Sequence, residues 1–157
     1  MKTNYGKLGQ ESMVSLKDTS KRSAEVQMKI LAELMHRNRE TVYGKKYGFE
    51  AIETVGEFQK KVPLCVYGDY EDYILRMIAG EEKVLTEEPA VYYCISSGTT
   101  GDAKYLPLTE TDLKIQYTYA YGVPFGMVKE YYWDLPEDEV FGKIFQIGEF
   151  AKTYMEN

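Results

Sequence analysis

The stretch YYCISSGTTGDAKYLPLT, residues 92–109, joins two short β-forming runs through a loop built from Ser, Thr and Gly. Residues 90–95 are apolar, aromatic or β-branched and of strand length, which predicts a buried strand. Residues 105–108 predict a second, short strand at a sheet edge, because Pro107 has no N–H to give to a ladder. Between them, Gly98 and Gly101 let backbone N–H groups approach a ligand with no Cβ in the way. Ser96, Ser97, Thr99 and Thr100 add hydroxyl donors, and Lys104 adds a mobile cation. Successive N–H groups in such a loop form a concave nest for an anion, and a phosphate chain would satisfy nest and cation together.

A solvent-exposed turn uses the same residue types. The strand that feeds the loop and the lysine that follows it favour a site. The loop is not a Walker A motif, which needs Gly-Lys followed by Ser or Thr, since Lys104 stands between Ala103 and Tyr105. No GxGxxG dinucleotide fingerprint is present either.

On the N-terminal side, residues 1–18 read as a polar, irregular arm or edge segment. From Ser20 or Ser23 the pattern turns helical. Val26, Ile30 and Leu34 form one row with Leu31 and Met35 beside it, about five turns in all, with Gly44 as the stop before Lys45 and Lys46. Thr54 and Glu57 have capping-box spacing and open a short helix on which Val55, Phe58 and Val62 share a face and which ends at Pro63. A third helix begins at Asp69, repeats Tyr70, Tyr73, Ile74, Met77 and Ile78, and closes at Gly80. On the C-terminal side, Thr109 and Asp112 cap a fourth helix whose inner stripe is Leu113, Tyr117, Ala120 and Tyr121. Residues 123–143 carry two prolines, an acidic cluster and the lone tryptophan, and predict a long excursion. Residues 143–147 fit a strand and residues 149–155 the start of a helix.

The composition narrows the classes of partner. At 157 residues the chain is long enough for one domain with a real core. Nineteen Lys and Arg against 25 Asp and Glu leave a formal charge of −6, which opposes nucleic acid or an anionic membrane as main partner. No apolar run approaches the ~20 residues of a membrane span, and the first 18 residues lack the apolar stretch of a secretory signal. A cytoplasmic location is the expectation. Cys65 and Cys94 have no metal-ligand spacing and His36 is the single histidine, so no metal site is assigned and both cysteines are expected to be buried. His36 lies on a charged helix stretch and reads as solvated. Asp69, Glu71 and Asp72 fit the first turn of a helix better than a metal site. Tyr131, Tyr132 and Trp133 read as core or loop packing ahead of an acyl pocket or a partner contact, and residues 136–139 as a solvated turn.

Several stretches, taken together, resemble one family. SSGTTGDAK is similar to the phosphate-binding motif of acyl-adenylate-forming enzymes. With TVYGKKYGF (41–49), EFQKKVPLCVYGDYEDYILRMIAGE (57–81), VLTEEP (84–89) and GKIFQIGEF (142–150), the order and spacing resemble the auxin-responsive promoter family of acyl-acid amido synthetases. The resemblance covers residues 24–121 most fully. It implies an α/β fold, the helix-rich N-terminal part of an adenylating domain over residues 19–157, with a short sheet carrying the phosphate loop. It implies ATP with Mg²⁺ as cofactors, and a carboxylic acid and an amine or amino acid as substrates. Ser96, Ser97, Gly98, Thr99, Thr100, Gly101 and Lys104 would bind the nucleotide phosphates, and no catalytic residue is assigned. Family members are several times longer, so turnover by this chain alone is not expected. The alternative expectation is a non-catalytic remnant that associates with itself or another protein through exposed apolar surface.

Overall fold

A computed structural model of the protein describes residues 4–96 and 103–141, leaving aside the side chains of 137 and 138. Helices dominate: α1 Tyr5–Ser20, α2 Ser23–Asn38, α3 Val42–Tyr47, α4 Val55–Lys61, α5 Gly68–Ile78, α6 Glu110–Gln116, α7 Val123–Tyr131 and α8 Glu137–Phe141. Strands β1 Ala90–Ser96 and β2 Lys104–Thr109 form a two-stranded antiparallel sheet. The helix-rich α/β architecture with a short sheet is the one expected.

The core gathers around α2 and α3. Met35, Tyr43, Phe49 and Ile52 are buried together, with Leu31, Phe58, Val62, Tyr70 and Tyr73 packed against them. Of the two rows read on α2 it is Leu31 and Met35 that pack here, while Ile30 and Leu34 of the other row are exposed; α3 adds Tyr43, α4 and its end Phe58 and Val62, and α5 Tyr70 and Tyr73. Tyr43 is the hub, its ring meeting those of Tyr47, Phe49, Tyr70 and Tyr73 at centroid distances of 4.6–5.9 Å. Burial and the hydroxyl of Tyr70 raise the Tyr43 phenol well above its ordinary range. Both predicted capping boxes are present, Thr54 with Glu57 and Thr109 with Asp112.

Four expectations need correction. Residues 1–18 are not an irregular arm: Asn4 accepts the Lys7 N–H at 2.7 Å and starts α1. Gly6, Gly9 and Ser12 form its buried face. That face meets Gly122 and Gly126, so the two backbones approach too closely for side chains: a Cβ on Gly9 would lie 2.5 Å from the Gly126 nitrogen. The predicted excursion is therefore largely helical. Between α6 and α7 the chain winds in a wider π-type turn, Tyr117–Gly122. One extra residue of this kind rotates the following helix by about 100°. Phe125 and Phe141 close over Tyr5, with centroids 4.9–6.4 Å apart.

The second correction concerns Gly44, which lies inside α3 and does not stop the preceding helix. Helix α2 ends at Asn38 because Thr41 intervenes: fully buried, it donates to the Asn38 carbonyl at 2.8 Å and accepts the Gly44 N–H at 2.9 Å. The left-handed stop is Gly48, φ 64°, which ends α3. Third, β1 is not a buried strand, since Val91, Tyr92 and Ile95 are exposed; likewise Leu113, Tyr117 and Tyr121 on the next helical stretch are more than a third exposed. Fourth, Cys65 and Cys94 are free and half-buried, not enclosed in the core. The strand and helix expected within residues 143–155 lie outside the described residues, as do loop residues 97–102.

Candidate phosphate-binding hairpin

The two ends of the Ser/Thr/Gly motif are opposite each other. β1 and β2 pair antiparallel, with Cys94 across from Leu106, Ile95 from Tyr105 and Ser96 from Lys104. The two strands thus pair as the arms of a hairpin, and the motif's first serine and its lysine stand at the last rung of the ladder. Pro107 faces Tyr93 within the second strand. Of the residues expected to bind phosphate, Ser96 and Lys104 pair across the ladder. Ser97, Gly98, Thr99, Thr100 and Gly101 lie outside the described residues.

A two-stranded sheet is marginal on its own, and this one buries little. Polar anchors hold it at both ends. At the loop end the hydroxyl of Tyr67, the residue before α5, accepts the Tyr105 N–H at 2.9 Å and reaches the Tyr105 carbonyl at 3.5 Å. The Lys104 ammonium lies 5.5 Å from the centroid of the same ring, within cation–π range. Nothing in the spacing of the sequence singled Tyr67 out. The turn that presents it is fixed by Asp69, whose carboxylate accepts the Val66 N–H at 2.8 Å. Asp69 is thus a helix-start residue, as expected.

At the far end Thr109 is buried and double-bonded to Asp112: its hydroxyl donates to the carboxylate at 2.8 Å and accepts the Asp112 N–H at 3.2 Å. Glu88 accepts the Thr111 N–H at 3.0 Å and lies 3.9 Å from the Arg37 guanidinium. The Thr111 hydrogen bonds, with Arg37 adding to them, hold the Glu88 carboxyl below the usual carboxylate range. The segment entering β1 is tied to the core by Val42 N–H to the Lys83 carbonyl at 2.8 Å, Tyr43 N–H to the Val84 carbonyl at 3.0 Å, and Glu87 N–H to Asn38 at 2.9 Å. The strands and the segment before them are thus tied to α2, to α3 and to Tyr67 ahead of α5.

Other candidate residues fall outside this site. His36 is solvated on α2, its ring 3.1 Å from the Arg39 guanidinium. Tyr131, Tyr132 and Trp133 are exposed at the end of α7, and no packed core forms around them among the described residues. No helix of the described residues is long and apolar enough to cross a membrane. No cluster of three or more His, Cys, Asp or Glu able to hold a metal occurs among the described residues.

Comparison with known proteins bears on the family of the chain. The chain is 34% identical over 102 residues to jasmonoyl-L-amino acid synthetase GH3.5 of Oryza sativa subsp. japonica, which covers 61% of this chain and 18% of the relative. It is 32% identical over 90 residues to indole-3-acetic acid-amido synthetase GH3.3 of Arabidopsis thaliana, covering 56% of this chain and 15% of the relative. Among solved structures it resembles AtGH3.15 acyl acid amido synthetase in complex with 2,4-DB, with a TM-score of 0.69 and 26% identity, over 82% of this chain and 23% of that one. The chain thus spans less than a quarter of the length of the relatives it matches. The model of the GH3 family N-terminal domain matches residues 13–153, and so the chain belongs to the GH3 family, the auxin-responsive amido synthetases whose motifs its sequence resembles.

Proposed function

We propose that this chain supplies the phosphate-binding hairpin of an ATP-dependent acyl-acid amido synthetase. The observation that supports it most is the pairing of Ser96 with Lys104, which sets a hydroxyl and an ammonium at the base of a Gly-rich connection. In the proposed reaction a carboxylate oxygen attacks the α-phosphorus of ATP, and the bond to pyrophosphate breaks. An amine then attacks the acyl carbon, the C–N bond forms, a proton is lost and AMP leaves. Charge develops on the phosphoryl oxygens in the first step, and aimed N–H groups with a nearby cation stabilise it there. Ser96, Ser97, Gly98, Thr99, Thr100 and Gly101 would cradle the phosphates, with Lys104 countering their charge. Mg²⁺ would enter on the nucleotide, since phosphate oxygens and water commonly complete its shell.

The test is pyrophosphate exchange into ATP with a panel of carboxylic acids, run beside Mg·ATP binding. Acid-dependent exchange establishes adenylation by this chain. Binding without exchange confines the chain to holding the nucleotide and leaves the chemistry to other parts of a longer protein. A folded sample that neither binds nor exchanges removes the proposal.

A second reading has its own observation. Leu64, Val66, Tyr131 and Trp133 are at least 73% exposed, and Val91, Ile95 and Leu106 add apolar surface on the hairpin. Such surface drives association, so the chain would act as a self-associating module. Size-exclusion chromatography with light scattering decides it. A monomer at every concentration would contradict this second reading.

A further inference from the structure

We infer that Tyr67 is a positioning residue for Lys104, restraining the ammonium at the mouth of the hairpin before a phosphate arrives. The inference rests on the phosphate-binding reading of the hairpin. Two features of one side chain carry it. The Tyr67 hydroxyl bonds the backbone of Tyr105, the residue next to Lys104, accepting its N–H at 2.9 Å. The ring of the same residue lies 5.5 Å from the Lys104 ammonium. The phenol therefore fixes both where the strand begins and where the cation at its first position rests.

Neither feature contributes much to the core. Tyr67 is half-buried and Lys104 is exposed, and the ring lies outside the Tyr43 cluster. What the arrangement does is restrict a side chain with four rotatable bonds. A free lysine loses much of its rotamer entropy when it meets an anion. A lysine already resting on a ring face loses less, and the ammonium still presents hydrogens away from the ring. Preorganisation of this kind shows up as affinity. Tyr67 acts through Lys104 and touches no reacting atom.

The discriminating experiment changes the ring's electrostatics while leaving its shape nearly constant. Tyr67→Phe and its mono-, di- and trifluorinated phenylalanine analogues are placed at position 67 of the full chain. Mg·ATP is titrated calorimetrically into each, with and without Lys104→Met, and circular dichroism confirms the fold. Each fluorine weakens the negative ring face. The expected result is a stepwise rise in Kd across the series, about two- to fivefold in total, that becomes flat in the Lys104→Met background. A merely structural role for the ring would leave Kd indifferent to fluorination. That outcome, with Lys104→Met still weakening binding, overturns the inference and leaves the phosphate reading intact. A Kd that falls with fluorination would mean that the ring withholds the cation, and also overturns it. If folded parent protein does not bind Mg·ATP, or Lys104→Met binds as tightly as the parent, the phosphate reading fails and the inference falls with it.

Discussion

Thr109 ends β2 and begins α6, and its hydroxyl bonds Asp112 in both directions. Thr109→Val keeps the shape and removes both bonds, leaving the Asp112 N–H and a part-buried carboxylate oxygen without that partner. A loss of about 1–2 kcal/mol in urea unfolding is expected, whereas Thr109→Ser keeps most of the stability. Glu88 acts beside it, and the sign of its pH effect follows from its depressed pKa. A carboxyl held lower in the folded state than in the unfolded one adds stability above about pH 4.3, the unfolded value. That contribution is lost as pH falls through the folded pKa. The gap in urea midpoint between parent and Glu88→Gln should therefore be open at pH 6 and close towards pH 3. A gap constant with pH would mean that Glu88 contributes nothing as an ion. At this scale the sequence was readable, because capping boxes are local: Thr54 with Glu57 and Thr109 with Asp112 form as their spacing predicts. Tyr67 was not readable, since its partners lie 37 and 38 positions away in the chain and no spacing rule connects them.

Among the elements, the pairing of α1 with α7 departs furthest from a periodicity reading. Apolar rows reveal helices that dock through large side chains. Helix α1 docks through Gly6, Gly9 and Ser12, which carry almost no hydrophobic signal, and its partner presents Gly122 and Gly126. The clue was the spacing of small residues on both segments, and polar composition masked it. The Lys17 ammonium also pairs with Glu130 across the two helices. Gly9→Val tests the contact, because its Cβ would strike the backbone of Phe125 and Gly126 at 2.5–2.8 Å. Backbone on both sides cannot yield as a side-chain tip would. A loss of about 1–3 kcal/mol or more is expected in thermal or urea unfolding, with the Tyr43 core retaining its near-ultraviolet signal longest. A variant as stable as the parent would contradict the packing described. Helices α2, α4 and α5 behave differently: they bury Leu31, Met35, Phe58, Ile74 and Met77, and their positions were legible for that reason.

Taken whole, the molecule holds an exposed hairpin against a tyrosine-centred core through backbone hydrogen bonds and a few polar side chains. The fold class followed from the family resemblance, and the individual elements from patterns that survive without tertiary information: strand-length runs, caps and apolar rows. Exposure did not, because an apolar strand reads as buried whether or not a neighbour covers it. Val91 and Ile95 in β1 are the cases in point. Membership of the GH3 family follows from the match over residues 13–153, and the nucleotide role we propose for the hairpin is supported by its motif and by the pairing of Ser96 with Lys104. The most direct measurement is calorimetric titration of Mg·ATP into the chain and into Gly98→Val, which places a branched side chain where the proposed function has backbone approach phosphate. The account predicts saturable binding by the parent and a loss of at least about tenfold in a variant of unchanged circular dichroism, about 1.4 kcal/mol or more. No binding by the folded parent, or equal binding by both, would contradict it.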